Sequence, residues 1–246
     1  MNYTMSEWNG FQRADFSFEG RDALIVFPNV KKNGRWMMKM EYFYAFPNLE
    51  IELLNRGWHL AYLKNANRWG RDEDQDLKAR LADFLSAEFG LEKRFTCVGM
   101  SLGGLHSVYF AARHPDYVSC LYLDAPVMNL LSYPLGFGAA ALQYPNGSAW
   151  PIINELFGQD SSTILTWRGH PMDQIPILME HKLPVALIYG DADPVVPYRE
   201  NGLPLEEAYK KAGLPLFCVG KKGCGHHPHG LEDPTPLADF IEANAL

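Results

Sequence analysis

Gly99-Met100-Ser101-Leu102-Gly103 constrains this chain more than any other stretch. An apolar run, Phe95-Thr96-Cys97-Val98, precedes it, and helical spacing follows from Leu105 to Arg113. A serine between a buried strand and a helix has to sit on a tight, strained turn. Glycines two residues before and after it remove the side chains that would collide there. The serine hydroxyl then stands clear of the backbone, and the first amide of the helix, that of Leu102, points at the space beside it.

Strand and helix signals alternate around that turn. Strands are predicted at 23–27, 59–63, 95–98, 118–123, 184–189 and 216–219. A helix ends near Arg56, before Gly57, and a long amphipathic one runs over 72–89. Asp72, Glu73, Asp74 and Asp76 crowd the start of the latter, and Gly90 stops it. Further helices are predicted at 102–113, 204–212 and 236–245. This order predicts an α/β fold, a mostly parallel sheet covered on both faces, in one domain over 1–246. Residues 127–182 break the rhythm with prolines, glycines and the aromatics Tyr133, Phe137, Tyr144, Trp150, Phe157 and Trp167. They read as an insertion forming a lid over the strand ends, where open α/β sheets bind ligands. The competing reading is a helical packing excursion with no part in binding.

Composition narrows the function. With 246 residues, 47% hydrophobic and 21% charged, the chain can bury a substantial core. A net charge of −7 without a basic block gives nucleic acid no electrostatic footing. The first twenty residues carry charges and lack an apolar core segment, so they do not read as a signal peptide. No apolar run approaches a membrane span. A cytoplasmic setting without a membrane partner is therefore expected, and Cys97, Cys120, Cys218 and Cys224 are expected as reduced thiols. Oligomeric state is not legible.

A serine hydroxyl is a poor nucleophile at neutral pH. It needs a base within hydrogen-bond reach and an acid that orients the base. Two downstream segments, each after a predicted strand, supply candidates. Gly190-Asp191-Ala192-Asp193-Pro194-Val195-Val196-Pro197 carries two carboxylates, and Gly223-Cys224-Gly225-His226-His227-Pro228-His229 carries three imidazoles. Asp124, at the end of the 118–123 strand, is a rival acid. Cys224, His226, His227 and His229 also suggest a soft-metal cluster. Ligands interrupted by Pro228 converge poorly on one tetrahedral ion, however, so neither metal nor cofactor is expected.

With Ser, Asp and His in that order, the chain resembles a serine hydrolase of the α/β-hydrolase superfamily, of esterase or peptidase type. The resemblance covers nearly the whole chain by element order and three motifs by residue. GMSLGG implies Ser101 as nucleophile. GDADPVVP is similar to the family's acid loop and implies Asp193 rather than Asp191. GCGHHPHGLEDP resembles its histidine loop and implies His226 as base rather than His227 or His229. An oxyanion hole needs two amides. Leu102 supplies one, and the loop after the 23–27 strand is expected to supply the other, from Asn29 or Val30. The family's HGGG-type motif is absent from that loop.

The substrate is less legible. Lys31, Arg68 and Trp69 in predicted strand-end loops, with Trp167 in the insertion, suggest a pocket for a polar or carbohydrate-linked ester. The alternative is solvated loop charge. Three classes follow: a carboxyl-ester hydrolase acting on a small molecule, a serine peptidase or amidase, and a non-catalytic ligand-binding relative.

Overall fold

The computed structural model describes residues 1–140 and 149–245, so Tyr144 of the insertion lies outside the described residues. Among these residues nine strands form one sheet: β1 (Thr4–Trp8), β2 (Phe11–Phe18), β3 (Arg21–Val26), β4 (Trp36–Lys39), β5 (His59–Leu63), β6 (Phe95–Met100), β7 (Val118–Asp124), β8 (Val185–Gly190) and β9 (Leu216–Lys221). Their spatial order is β1-β2-β3-β5-β4-β6-β7-β8-β9. β1, β2 and β3 form an antiparallel meander, and β3 joins β5 antiparallel. From β5 through β9 every pairing is parallel.

Among the described residues the α-helices are α1 (Asn48–Asn55), α2 (Asp72–Phe89), α3 (Leu102–Arg113), α4 (Ala149–Phe157), α5 (Ile175–Glu180), α6 (Gly202–Ala212) and α7 (Thr235–Asn244). Alternation along the central strands sorts the core into two layers, because successive side chains leave a strand on opposite faces. Cys97, Leu121, Leu123 and Leu187 face α2, α3 and α6, where Leu81, Leu85, Val108, Phe110, Leu205 and Tyr209 meet them. Val98, Tyr122, Ala186 and Ile188 face α1 and α7, against Leu49, Leu53, Leu237 and Ile241. A third layer packs Leu130, Tyr133, Ala149, Ile153 and Ile164 on Trp69, Leu102, Leu105 and Val196.

The four cysteines are free thiols. Among the described residues no helix is long and apolar enough to cross a membrane. His59 is buried with neither ring nitrogen hydrogen-bonded, and burial pushes its imidazole down to about 4. The unfolded chain therefore binds a proton that the native state refuses. Stability from this site is complete above the ordinary histidine range and is lost as pH falls from about 6.5 to about 4, by a few kcal/mol. Denaturant unfolding of wild type and His59→Phe across that range tests this; the variant should lose less stability on acidification.

Candidate active site

Ser101 sits between β6 and α3 with φ 53° and ψ −118°, a conformation that side chains other than glycine rarely adopt. Its neighbours hold it there. The Ser101 amide donates to the Asp124 carbonyl at 2.9 Å, and the Val127 amide donates to the Ser101 carbonyl at 3.0 Å. A Cβ at Gly99 would stand 2.3 Å from Ser107 Oγ and 2.5 Å from the Gly103 carbonyl oxygen; one at Gly104 would stand 2.4 Å from Pro126 Cβ. Gly104→Ala is accordingly expected to destabilise the fold by about 1–3 kcal/mol, an overpacking cost that urea unfolding measures.

His226 comes to the serine from the loop after β9. Its Nδ1 stands 2.7 Å from Asp193 Oδ2 and its Nε2 stands 3.1 Å from Ser101 Oγ. The ionised carboxylate only accepts, so Nδ1 carries the proton and the Nε2 lone pair meets the serine hydroxyl. Asp193 follows β8, with its side chain 1% exposed. Burial raises its pKa, but hydrogen bonds from His226, Val196 and Val195 outweigh that and leave it below the ordinary carboxylate value. Asp191 plays a different part. Its carboxylate accepts from the Gly223 amide at 2.6 Å and fastens the histidine loop to β8. Gly190 permits that docking, since a Cβ there would stand 2.2 Å from the Gly225 carbonyl oxygen.

Asp124 does not touch His226. It accepts from His229 Nδ1 at 2.8 Å, from the Gly230 amide at 2.5 Å and from the Tyr122 hydroxyl at 3.0 Å. The rival acid thus holds a second buried histidine and clamps the far end of the same loop. The rings of His226, His227 and His229 stand with their centroids 4.9 Å apart on either side of Pro228.

A cleft of about 310 Å³ opens on Ser101, lined by Tyr42, Ala45, Phe46, Arg68, Met100, Tyr133, Val195 and the three histidines. Arg68 is on it as expected, donating to the Tyr42 hydroxyl at 2.6 Å. Trp69 is buried behind it, stacked on Tyr133. Trp167 is not in this cleft; it lines a separate cavity with Tyr109, Arg71 and Phe157. Asn29, Val30 and Lys31 are also misplaced by the sequence reading. β3 runs antiparallel to β5, with Val26 opposite Leu60, so the chain after β3 leaves at the edge where the parallel strands begin. Ser101 stands at the opposite edge, where they end. Asn29 there donates to the Gly10 carbonyl, and the Lys31 carbonyl lies against Gly57.

The loop that does reach Ser101 follows β4. Glu41 packs on the first turn of α3, its amide nitrogen 3.5 Å from where a Cβ on Gly103 would lie, and Tyr42 lines the cleft. Lys39, fully buried, donates to the Ala45 carbonyl at 2.9 Å and pairs with Glu50 of α1. Asn65 donates to the Met40 carbonyl at 2.7 Å. Lys39→Met leaves the Glu50 carboxylate buried without its cation, and an expected loss of about 3–5 kcal/mol would appear as a lowered urea midpoint.

Known proteins share this fold. The sequence profile of the alpha/beta hydrolase fold matches residues 66–150. A pimeloyl-[acyl-carrier protein] methyl ester esterase of Neisseria meningitidis is 43% identical over 61 residues, 25% of this chain and 21% of that protein. An acylaminoacyl peptidase of Pyrococcus horikoshii superposes with a TM-score of 0.68 at 17% identity, over 88% of this chain and 37% of that one. An S-formylglutathione hydrolase of Agrobacterium tumefaciens superposes with a TM-score of 0.61 at 12% identity, over 99% of this chain and 96% of that one. The chain is an α/β-hydrolase-fold protein. It spans well under two thirds of the curated esterase it matches. Within this α/β-hydrolase fold, Ser101, Asp193 and His226 all stand where parallel strands end, the edge at which open α/β sheets place their ligands.

Proposed function

We propose that this chain is a serine hydrolase that cleaves a carboxylic ester through an acyl-enzyme. The hydrogen-bonded series Ser101–His226–Asp193 carries the reading. His226 Nε2 takes the proton from Ser101 Oγ as it attacks the ester carbonyl carbon. The oxyanion forms beside the amide of Leu102, at the start of α3 where helical amides lack intrahelical partners. Tyr42, in the loop after β4, is proposed for the second amide in place of Asn29 and Val30. The imidazolium then protonates the leaving alcohol, the tetrahedral species collapses to an acyl-Ser101, and water activated by the same histidine releases the acid.

The proposed substrate is a polar or carbohydrate-linked ester. Arg68 offers a cation beside the Tyr42 ring, and Phe46 and Tyr133 add flat apolar walls suited to a sugar face or an aryl acid. The segment 127–182 is proposed as the lid, on the ground that its Tyr133 lines the cleft. Arg68→Ala should raise KM for an anionic or sugar-bearing ester about tenfold or more while leaving p-nitrophenyl acetate little affected. Equal effects on both substrates would count against this role.

The class is tested by steady-state hydrolysis of p-nitrophenyl acetate alongside aminoacyl-p-nitroanilides. Turnover of the ester with little turnover of the anilides supports the esterase. Preference for the anilides moves the reading to a peptidase of the same mechanism, and turnover of neither to a ligand-binding protein. The competing acid is tested by Asp124→Asn, which should destabilise the fold by about 1–3 kcal/mol through loss of charge-assisted bonds and cost ester turnover no more than roughly tenfold.

A further inference from the structure

The imidazoles of His226, His227 and His229 form a triangle in which every pair of ring centroids is 4.9 Å apart. Each residue offers one ring nitrogen, and these nitrogens lie within 4.8 Å of one another. His229 is the fixed corner. It is buried, and Asp124 holds its Nδ1 at 2.8 Å, which leaves Nε2 with the lone pair. A carboxylate behind a histidine in this way fixes the tautomer and aims the other nitrogen, as the outer partners of metal-ligating histidines do. His226 is held likewise by Asp193, with Nε2 towards Ser101. His227 is the movable corner: it is exposed and rests on the Phe46 ring at 5.6 Å.

We infer that this triangle binds a borderline divalent cation of the Zn²⁺ type, and that the bound ion switches the hydrolase off. Three neutral imidazoles are a donor set that such ions favour over Mg²⁺ or Ca²⁺. Zn–N bonds of about 2.0–2.1 Å put the donors of a tetrahedral ion about 3.3 Å apart. The triangle therefore has to contract: the exposed His227 ring rotates inward, and the His226 ring tilts on its bond to Asp193 so that Nε2 leaves Ser101 for the ion. Water fills the fourth position. The switch follows from which lone pair the ion takes. His226 Nε2 has one, and it is the one that accepts the Ser101 proton. Coordinated to the ion, it accepts nothing, and Ser101 keeps its proton. The inhibitory half of this inference rests on the proposed role of His226; the binding half does not.

Two readouts on the full chain separate those halves. The first is the visible absorption of Co²⁺ used as the probe metal, displaced by Zn²⁺. Wild type should give the intense bands of a tetrahedral site, and His227→Ala should bind Co²⁺ at least tenfold more weakly. The second is the rate of fluorophosphonate labelling with and without micromolar Zn²⁺, compared within each protein so that effects on the basal rate cancel. Zn²⁺ should slow labelling of wild type at least tenfold, with recovery on adding EDTA, and should slow His227→Ala much less. Equal Co²⁺ binding by the two proteins, or no tetrahedral spectrum in wild type, would overturn the site. Tight binding without any slowing would overturn the switch. Absence of labelling in metal-free wild type would instead strike the proposed hydrolase, and the Co²⁺ spectra would still decide the site.

Discussion

Ser101→Ala is expected to lower ester turnover on the order of 10⁶-fold, the largest single effect in the molecule. The substitution removes one oxygen and leaves the backbone unchanged. The fold should hold, because Ser101 is fastened by main-chain bonds to Asp124 and Val127 that alanine also makes. What is lost is the atom that attacks, and with it the covalent route. The leftover rate would come from the amides beside the oxyanion and from binding alone. Turnover is measured with p-nitrophenyl acetate at saturating ester, with thermal unfolding as the control for folding. A loss smaller than about a hundredfold in a folded variant would mean that another group carries the chemistry.

Asp193→Asn is expected to cost about 10⁴-fold in kcat with the fold intact. The asparagine carbonyl still accepts from the Val195 and Val196 amides, which reach Oδ1 at 2.8 and 3.0 Å. Its NH₂ then faces His226 Nδ1 and demands an acceptor there. The imidazole answers by moving its proton to Nε2, and the lone pair that served Ser101 is gone. The carboxylate also loses its stabilisation of the imidazolium. Comparing kcat for Asp193→Asn and Asp124→Asn decides which acid serves the base. The larger loss should fall on Asp193 by about two orders of magnitude or more, and the reverse order would transfer the role to Asp124 and His229.

Much of the fold is legible in the sequence. Apart from β4, the strands of the parallel half announce themselves because they are continuous apolar runs, bounded by glycine or proline and separated by amphipathic helices. The 72–89 helix is found with both ends in place, since acidic residues open it and Gly90, at φ 68°, closes it. The choice of Asp193 over Asp191 and of His226 over its neighbours comes from the resemblance; the structure places Asp193 2.7 Å from His226 Nδ1. The misplacements of Asn29, Val30 and Lys31 share one cause. Trp36-Met37-Met38-Lys39 is a four-residue strand buried on both faces, so it shows no alternation; it holds no β-branched residue and ends in a charge. Overlooking it makes 23–27 the strand that leads to the site, and the second oxyanion donor is then sought at Asn29 and Val30 instead of Tyr42. Lys31 is misassigned by the same step. The meander of β1 and β2 does carry a period-two signal in Phe16 and Phe18, but charged and polar residues interleave it and leave the segment without an apolar run. The pairing of Asp124 with His229 joins residues 105 positions apart, and no local pattern announces it.

The most direct measurement is to label the purified chain with a fluorophosphonate and map the modified peptide by mass spectrometry. An activated serine predicts one adduct on Ser101, formed by wild type and lost in His226→Ala. A folded wild-type protein that takes no label, or one labelled at a different serine, would contradict the assignment of Ser101 and His226 as nucleophile and base.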